Sequence, residues 1–211
     1  MKISTPRPSL HERLLNAAIQ SQAAQPLTRK RHQVRTPVRV TLADNFRKLE
    51  QLTVIPHSIL YLTLTYGDMV DKKTVMARIA WFRAHILPKI GGSRWISVQA
   101  FQRRGRIHHH LVIQTNLDLC CPSDLNRVQS ILCGKAMKNR FGRIDFKRAY
   151  GMDGLCKYFL KNWSMMTVPV EWGKFRCYSC GGAKITDTSG RPVRWYVPVR
   201  REMAAPCSYV C

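Results

Sequence analysis

Residues Trp95 to Thr115 read WISVQAFQRRGRIHHHLVIQT, and this stretch decides the fold. Both halves show the period of two that strands impose, and Arg103 to Arg106 makes a turn centred on Gly105 between them. The stretch is therefore a β-hairpin. A hairpin this apolar needs further strands beside it and helices over it, and the flanking sequence supplies both.

Upstream, Leu60, Leu62 and Leu64 alternate with Tyr61, Thr63 and Thr65 as far as Gly67, which predicts a half-buried first strand. Asp71 is placed to cap a helix in which Val75, Ile79, Phe82 and Ile86 recur at helical spacing until Pro88 and the Gly91-Gly92 pair end it. Downstream, a second amphipathic helix starts at Ser123 and carries Leu125, Val128, Leu132 and Ala136. A fourth strand lies around Ile144 and Phe146, and a third helix runs from Asp153 through Trp163. The order β-α-β-β-α-β plus a helix predicts an α+β fold: a ferredoxin-like antiparallel sheet with helices on one face and an open catalytic face.

Three regions follow from this. Residues 1–55 read as a basic N-terminal arm with a short helix over Leu10 to Gln25, stopped by Pro26 and followed by Arg29, Lys30, Arg31, Arg35 and Arg39. Residues 56–168 form the core. Residues 169–211 read as strands, Lys174 to Tyr178 and Val193 to Val199, packed on the core or extending it. The 211 residues carry 35 Lys and Arg against 12 Asp and Glu, a net charge of +23, with a hydrophobic share of 45% that is ordinary for a packed core. Such a surplus repels itself in the compact state unless a polyanion is the partner, which points to nucleic acid ahead of a membrane or a small molecule. Apolar runs such as Ile59 to Leu64 fall far short of the roughly 18 residues a membrane span needs. Met1 to Pro8 has no apolar core behind its charges, so the expected location is the cytoplasm, where the eight cysteines are thiols or metal ligands rather than a disulfide framework.

The period of two divides the three histidines. Ile107, His109, Leu111 and Ile113 share one face, expected to pack under helices, while His108, His110, Val112 and Gln114 share the other. A single strand histidine is usually structural. Two at i and i+2 on a solvent-open face are spaced to chelate one ion. On the partner strand Ile96, Val98 and Ala100 form the apolar set, leaving Trp95, Ser97, Gln99 and Phe101 beside the histidines, with Gln99 the best third donor. Two imidazoles with oxygen and water favour Mg²⁺ or Mn²⁺ over a thiolate-type zinc site, though imidazole alone does not exclude zinc.

On the third helix, at about 100° per residue, Leu155, Cys156, Phe159, Leu160 and Trp163 make one apolar sector. Tyr158 and Lys161 fall outside it, one turn apart. Taken alone, this is an amphipathic-edge tyrosine beside a snorkelling lysine. Together with the paired histidines and the charge, it reads as a nucleophile. A phenol with an ordinary pKa near 10 attacks poorly, so it needs a phosphate clamped by a metal and a cation. The product would be a phosphotyrosine and a freed hydroxyl on the other DNA fragment.

These residues, in this order, resemble the HUH endonuclease superfamily, in particular the single-tyrosine rolling-circle replication initiators of plasmids and filamentous phages. Leu60 to Thr65 resembles the first strand motif, Arg104 to Leu111 the His-hydrophobic-His motif, and Tyr158 to Lys161 the YxxK motif. The resemblance covers Ser58 to Trp163, about half the chain. It implies that His108 and His110 hold the metal, that Tyr158 attacks single-stranded or hairpin origin DNA to give a 5′-phosphotyrosine, and that Lys161 assists. It also implies a bacterial host cytoplasm and, because no GxxxxGK loop occurs in the chain, a host helicase. Two departures stand out. His109 occupies the hydrophobic position, and the carboxylate usual on the preceding strand is replaced by Gln99 or, beyond a turn of register, Gln102.

Other signals are weaker. Arg103, Arg104 and Arg106 in the hairpin turn, Lys157 next to the tyrosine, and Arg29, Lys30 and Arg31 in the arm are candidate DNA contacts, with Trp95 and Phe101 able to stack bases. Tyr150 is a second-ranked nucleophile. Cys177, Cys180, Cys207 and Cys211 contain the donors for a zinc ribbon, but the pairs lie far apart. Two alternatives remain: a non-catalytic nucleic-acid-binding protein with structural histidines, and a single-tyrosine HUH transposase.

Overall fold

A computed structural model describes residues 36–67, 70–101, 106–164 and 178–196 of the chain. It contains the hairpin: β2 (Gly92–Phe101) and β3 (Ile107–Thr115) pair antiparallel, Val98 opposite His110 and Ala100 opposite His108. β1 (Ile59–Thr65) lies along the other side of β3, with Thr63 opposite His110 and Thr65 opposite His108. β4 (Arg143–Arg148) pairs outside β1, and β5 (Tyr178–Gly182) pairs outside β2. The result is one antiparallel sheet in the order β4-β1-β3-β2-β5, in which the first four strands take the places expected of a β-α-β-β-α-β chain. β6 (Ile185–Thr186) and β7 (Pro192–Val193) form a small separate pair.

The helices are α1 (Thr36–Gln51), α2 (Lys72–His85), α3 (Pro122–Leu132), α4 (Lys135–Lys138) and α5 (Met152–Ser164). Asp71 caps α2 as expected, accepting from the Thr74 backbone N–H at 2.8 Å and from its hydroxyl at 2.8 Å. Val75, Ile79, Phe82 and Ile86 are buried beneath that helix. The helix expected to continue from Ser123 to Ala136 instead stops at Leu132. Gly134 takes an extended conformation there, a poor helix former that lets a second short turn begin and bury Met137 rather than Ala136.

The α+β architecture with an antiparallel sheet is thus observed, but the helices expected on one face lie on both. On the Leu60, Leu62 and Leu64 side, Tyr66 and His109 lie under α2, with the Tyr66 hydroxyl donating to the Val75 carbonyl at 3.5 Å. On the other side α1 and α5 pack against each other and against β2, the Phe46 and Phe159 rings meeting edge-on at 5.3 Å. The physical reason is that the second face is also apolar over β2 and part of β3, where Ile96, Val98 and Val112 need cover. Leu42, Phe46 and Leu49 of α1 supply part of it from within the expected arm, so the boundary at residue 55 falls after a helix of the core. The helix expected over Leu10 to Gln25 lies outside the described residues. No helix among the described residues is long and apolar enough to cross a membrane.

Candidate active site

Alternation along β3 separates the histidines as expected. His109 is fully buried on the α2 side, where its Nδ1 lies 3.2 Å from the Tyr66 hydroxyl, the hydrogen bond that makes a histidine tolerable in a hydrophobic position. On the opposite face the His108 and His110 ring centroids are 4.5 Å apart at 81°. His110 Nδ1 lies 2.8 Å from the Tyr61 hydroxyl and 3.1 Å from the Thr63 hydroxyl. His108 Nδ1 and His110 Nε2 are buried without a hydrogen-bond partner among the described residues. Desolvation holds both rings neutral, pushing the pKa down to about 4 at His108 and to about 3 at His110, where the neighbouring His108 adds to the effect.

α5 delivers Tyr158 to the same place. Its helical stripe puts Cys156 and Phe159 in the core, and Phe159 touches both Tyr61 and His110. Tyr158, one residue earlier, is left 44% exposed with its ring 5.4 Å from His110 and 6.1 Å from Tyr61. The Tyr61 hydroxyl hydrogen-bonds the Tyr158 side chain, and burial above all raises the Tyr61 pKa. These side chains line a cavity of 580 Å³ with Thr63 and Thr65 of β1, Arg106, and Arg143, Asp145 and Lys147 of β4. Asp145 is paired with Arg143 at 2.9 Å, so the lining carries an excess of positive charge.

The structure brings His108, His110, Tyr158 and Arg106 together and leaves other expected residues elsewhere. Gln99 sits opposite His109 in the ladder, on the α2 face, with its amide 4.0 Å from the Met76 sulfur. It is not on the face of the histidine pair. The expectation erred in the facing of β2: Ile96, Val98 and Ala100 lie across from Val112, His110 and His108, because both faces of this strand are buried and apolarity does not tell them apart. Trp95 and Phe101 follow Gln99 to the α2 face and are buried, Trp95 with Arg83 5.1 Å from its ring, so neither is open to a base. Lys157 and Lys161 are exposed on α5 and do not line the cavity. Tyr150 is 84% exposed past the end of β4 remote from Asp145, its ring under the Arg148 guanidinium rather than in the cavity. Arg29, Lys30, Arg31, Gln102, Arg103, Arg104, Cys177, Cys207 and Cys211 lie outside the described residues. Cys180 is half-buried and donates to the Tyr178 hydroxyl at 2.8 Å.

Sequence reasoning missed Tyr61, Thr63, Thr65, Arg143, Asp145 and Lys147. The polar alternates of β1 were visible as one face of a strand, and the RIDFKR alternation of β4 was equally visible. What places them against the histidines is strand pairing.

His108 and His110 fit a divalent cation in their chemistry: two neutral imidazoles on one face, each with a nitrogen the protein leaves unpartnered. Among the described residues no third histidine, cysteine or carboxylate joins them in a ligand group. Comparison of the chain with family models, with curated proteins and with solved structures finds no match. The site therefore rests on its own geometry.

Proposed function

We propose that the protein is a metal-dependent DNA nicking and joining enzyme that starts rolling-circle replication, with Tyr158 as its nucleophile. One observation carries the reading: a half-exposed phenol stands beside a pair of neutral imidazoles in a cavity lined by cations. The Tyr158 oxygen attacks a phosphorus of the bound single strand and forms a 5′-phosphotyrosine. The bond from phosphorus to the 3′ oxygen breaks, and that oxygen leaves as a 3′-hydroxyl, taking up a proton as the phenol loses its own. A 3′-hydroxyl returning to the phosphotyrosine reverses the step and joins the ends. Arg106, Arg143 and Lys147 hold the phosphate, with Lys161 one turn from the nucleophile available to steady it. His108 and His110 would hold Mg²⁺ or Mn²⁺, which when bound supplies charge against that building on the phosphate oxygens. The substrate is single-stranded or hairpin origin DNA in a bacterial cytoplasm, opened by a host helicase.

The test is incubation with single-stranded origin DNA and Mn²⁺, followed by denaturing gel electrophoresis. A covalent protein–DNA adduct is expected, lost completely in Tyr158→Phe. An adduct persisting in that variant moves the nucleophile, with Tyr150 examined next, whereas retained DNA binding with no adduct in the native protein leaves a non-catalytic nucleic-acid-binding protein. A transposase would share every step and differ in its preferred ends.

A further inference from the structure

Beside the histidine pair, three polar atoms close a triangle. Tyr61 Oη is 2.8 Å from His110 Nδ1, Thr63 Oγ1 is 3.1 Å from the same nitrogen, and the two oxygens are 3.2 Å apart. Each hydroxyl brings one proton. Thr63 gives its proton to the Tyr61 oxygen, and Tyr61 gives its own to the Tyr158 side chain. No hydroxyl proton remains for His110, so the hydrogen on the two contacts to Nδ1 comes from the ring. A neutral imidazole has one such hydrogen, which leaves Nε2 bare. The opposite tautomer would bury an N–H at Nε2 with no acceptor and turn the Nδ1 lone pair against two oxygens whose protons are directed elsewhere, so it forfeits hydrogen bonds on both sides of the ring.

We propose that Tyr61 and Thr63 are positioning residues that hold His110 with Nδ1 protonated and Nε2 bare, and that the Tyr61 hydroxyl ties this ring to the Tyr158 nucleophile. The purpose of the device rests on the nicking reading above; the tautomer does not. A ring locked this way presents one lone pair in one direction, which is what outer hydrogen bonds do for metal-ligating histidines. The linkage also gives the two halves of the site, ligand and nucleophile, a shared hydrogen-bond partner on β1. Tyr61 is suited to this because its ring is wedged against Phe159 while its hydroxyl reaches the polar triangle.

The experiment is long-range ¹H–¹⁵N correlation on the metal-free full chain labelled at histidine, with Mn²⁺ affinity measured by calorimetry. In the native protein the His110 Nδ1 signal is expected in the protonated range and Nε2 in the unprotonated range. In the Tyr61→Phe, Thr63→Val double variant that preference is expected to be lost and Mn²⁺ affinity to fall roughly 10- to 100-fold. Thr63→Ser, which keeps a hydroxyl, is expected to restore most of the affinity lost in Thr63→Val, a rescue that a role in packing alone would not give. Tyr61→Phe keeps the buried ring, and should the double variant fail to fold, Thr63→Val carries the comparison alone. A native His110 protonated at Nε2, or variants whose tautomer and affinity match the native protein, overturn the proposal. The expected tautomer without Mn²⁺ binding upholds it and overturns the metal reading instead.

Discussion

Which face a strand residue takes decides what chemistry it can join, and one step along the chain reverses it. His109 and His110 are neighbours in sequence, yet one is sealed under α2 and the other lines the cavity. Gln99 makes the same point on β2, since it lies opposite His109 and its amide meets Met76. Gln99→Ala is therefore expected to leave Mn²⁺ affinity unchanged, while His110→Ala abolishes measurable binding, both read by calorimetry on the purified chain. A large loss of affinity in Gln99→Ala would mean that β2 turns its other face to the site.

At the scale of elements, α1 is the one whose placement changes the picture most. It contributes Leu42, Phe46 and Leu49 to the core, and Phe46 packs edge-on against Phe159, the residue that seats Tyr158 beside His110. Phe46→Ala is expected to cost about 3 to 5 kcal/mol in urea unfolding, as for other buried phenylalanines. Were residues 36–51 a solvated arm, the same substitution would stay within about 0.5 kcal/mol. The helix escaped sequence reasoning because its apolar stripe is thin and stands next to a run of Arg and Lys, so charge density masked the spacing of Leu42, Phe46 and Leu49. β1, β3, α2 and α5 were legible because each carries a clean period and a visible stop. The pairing that sets Thr63 and Asp145 in one row with His110 was not, because register between strands distant in sequence depends on packing that no local pattern records.

For the whole molecule, two dependences follow from charge. His108, His109 and His110 have pKa values pushed down by burial to about 4, about 3 and about 3, whereas the unfolded chain takes up these protons near pH 6.5. The unfolded state therefore binds more protons between those limits. Stability is complete above about pH 6.5 and falls as the pH drops toward 4, by up to about 1.4 kcal/mol per pH unit for each histidine. Urea unfolding of the metal-free protein at pH 7, 6 and 5 is expected to show that decline, and a flat profile would mean that the three rings are solvated. The second dependence locates the nucleic acid. A net charge of +23 binds single strands almost anywhere by counterion release, so affinity alone says nothing about the cavity. The salt slope does, because each phosphate neutralised on a single strand contributes about 0.7 to the fall of log K with log salt. Arg106 and Lys147 line the cavity and have no carboxylate within ion-pair distance among the described residues, so replacing either by Gln is expected to reduce the slope by roughly 0.7. Arg143 is already paired with Asp145 and gives up that partner to take a phosphate, so Arg143→Gln is expected to change the slope less. Fluorescence anisotropy with a labelled single strand across a salt series reads all three. Slopes unchanged in the Arg106 and Lys147 variants would place the bound strand on some other part of the cationic surface, away from Tyr158.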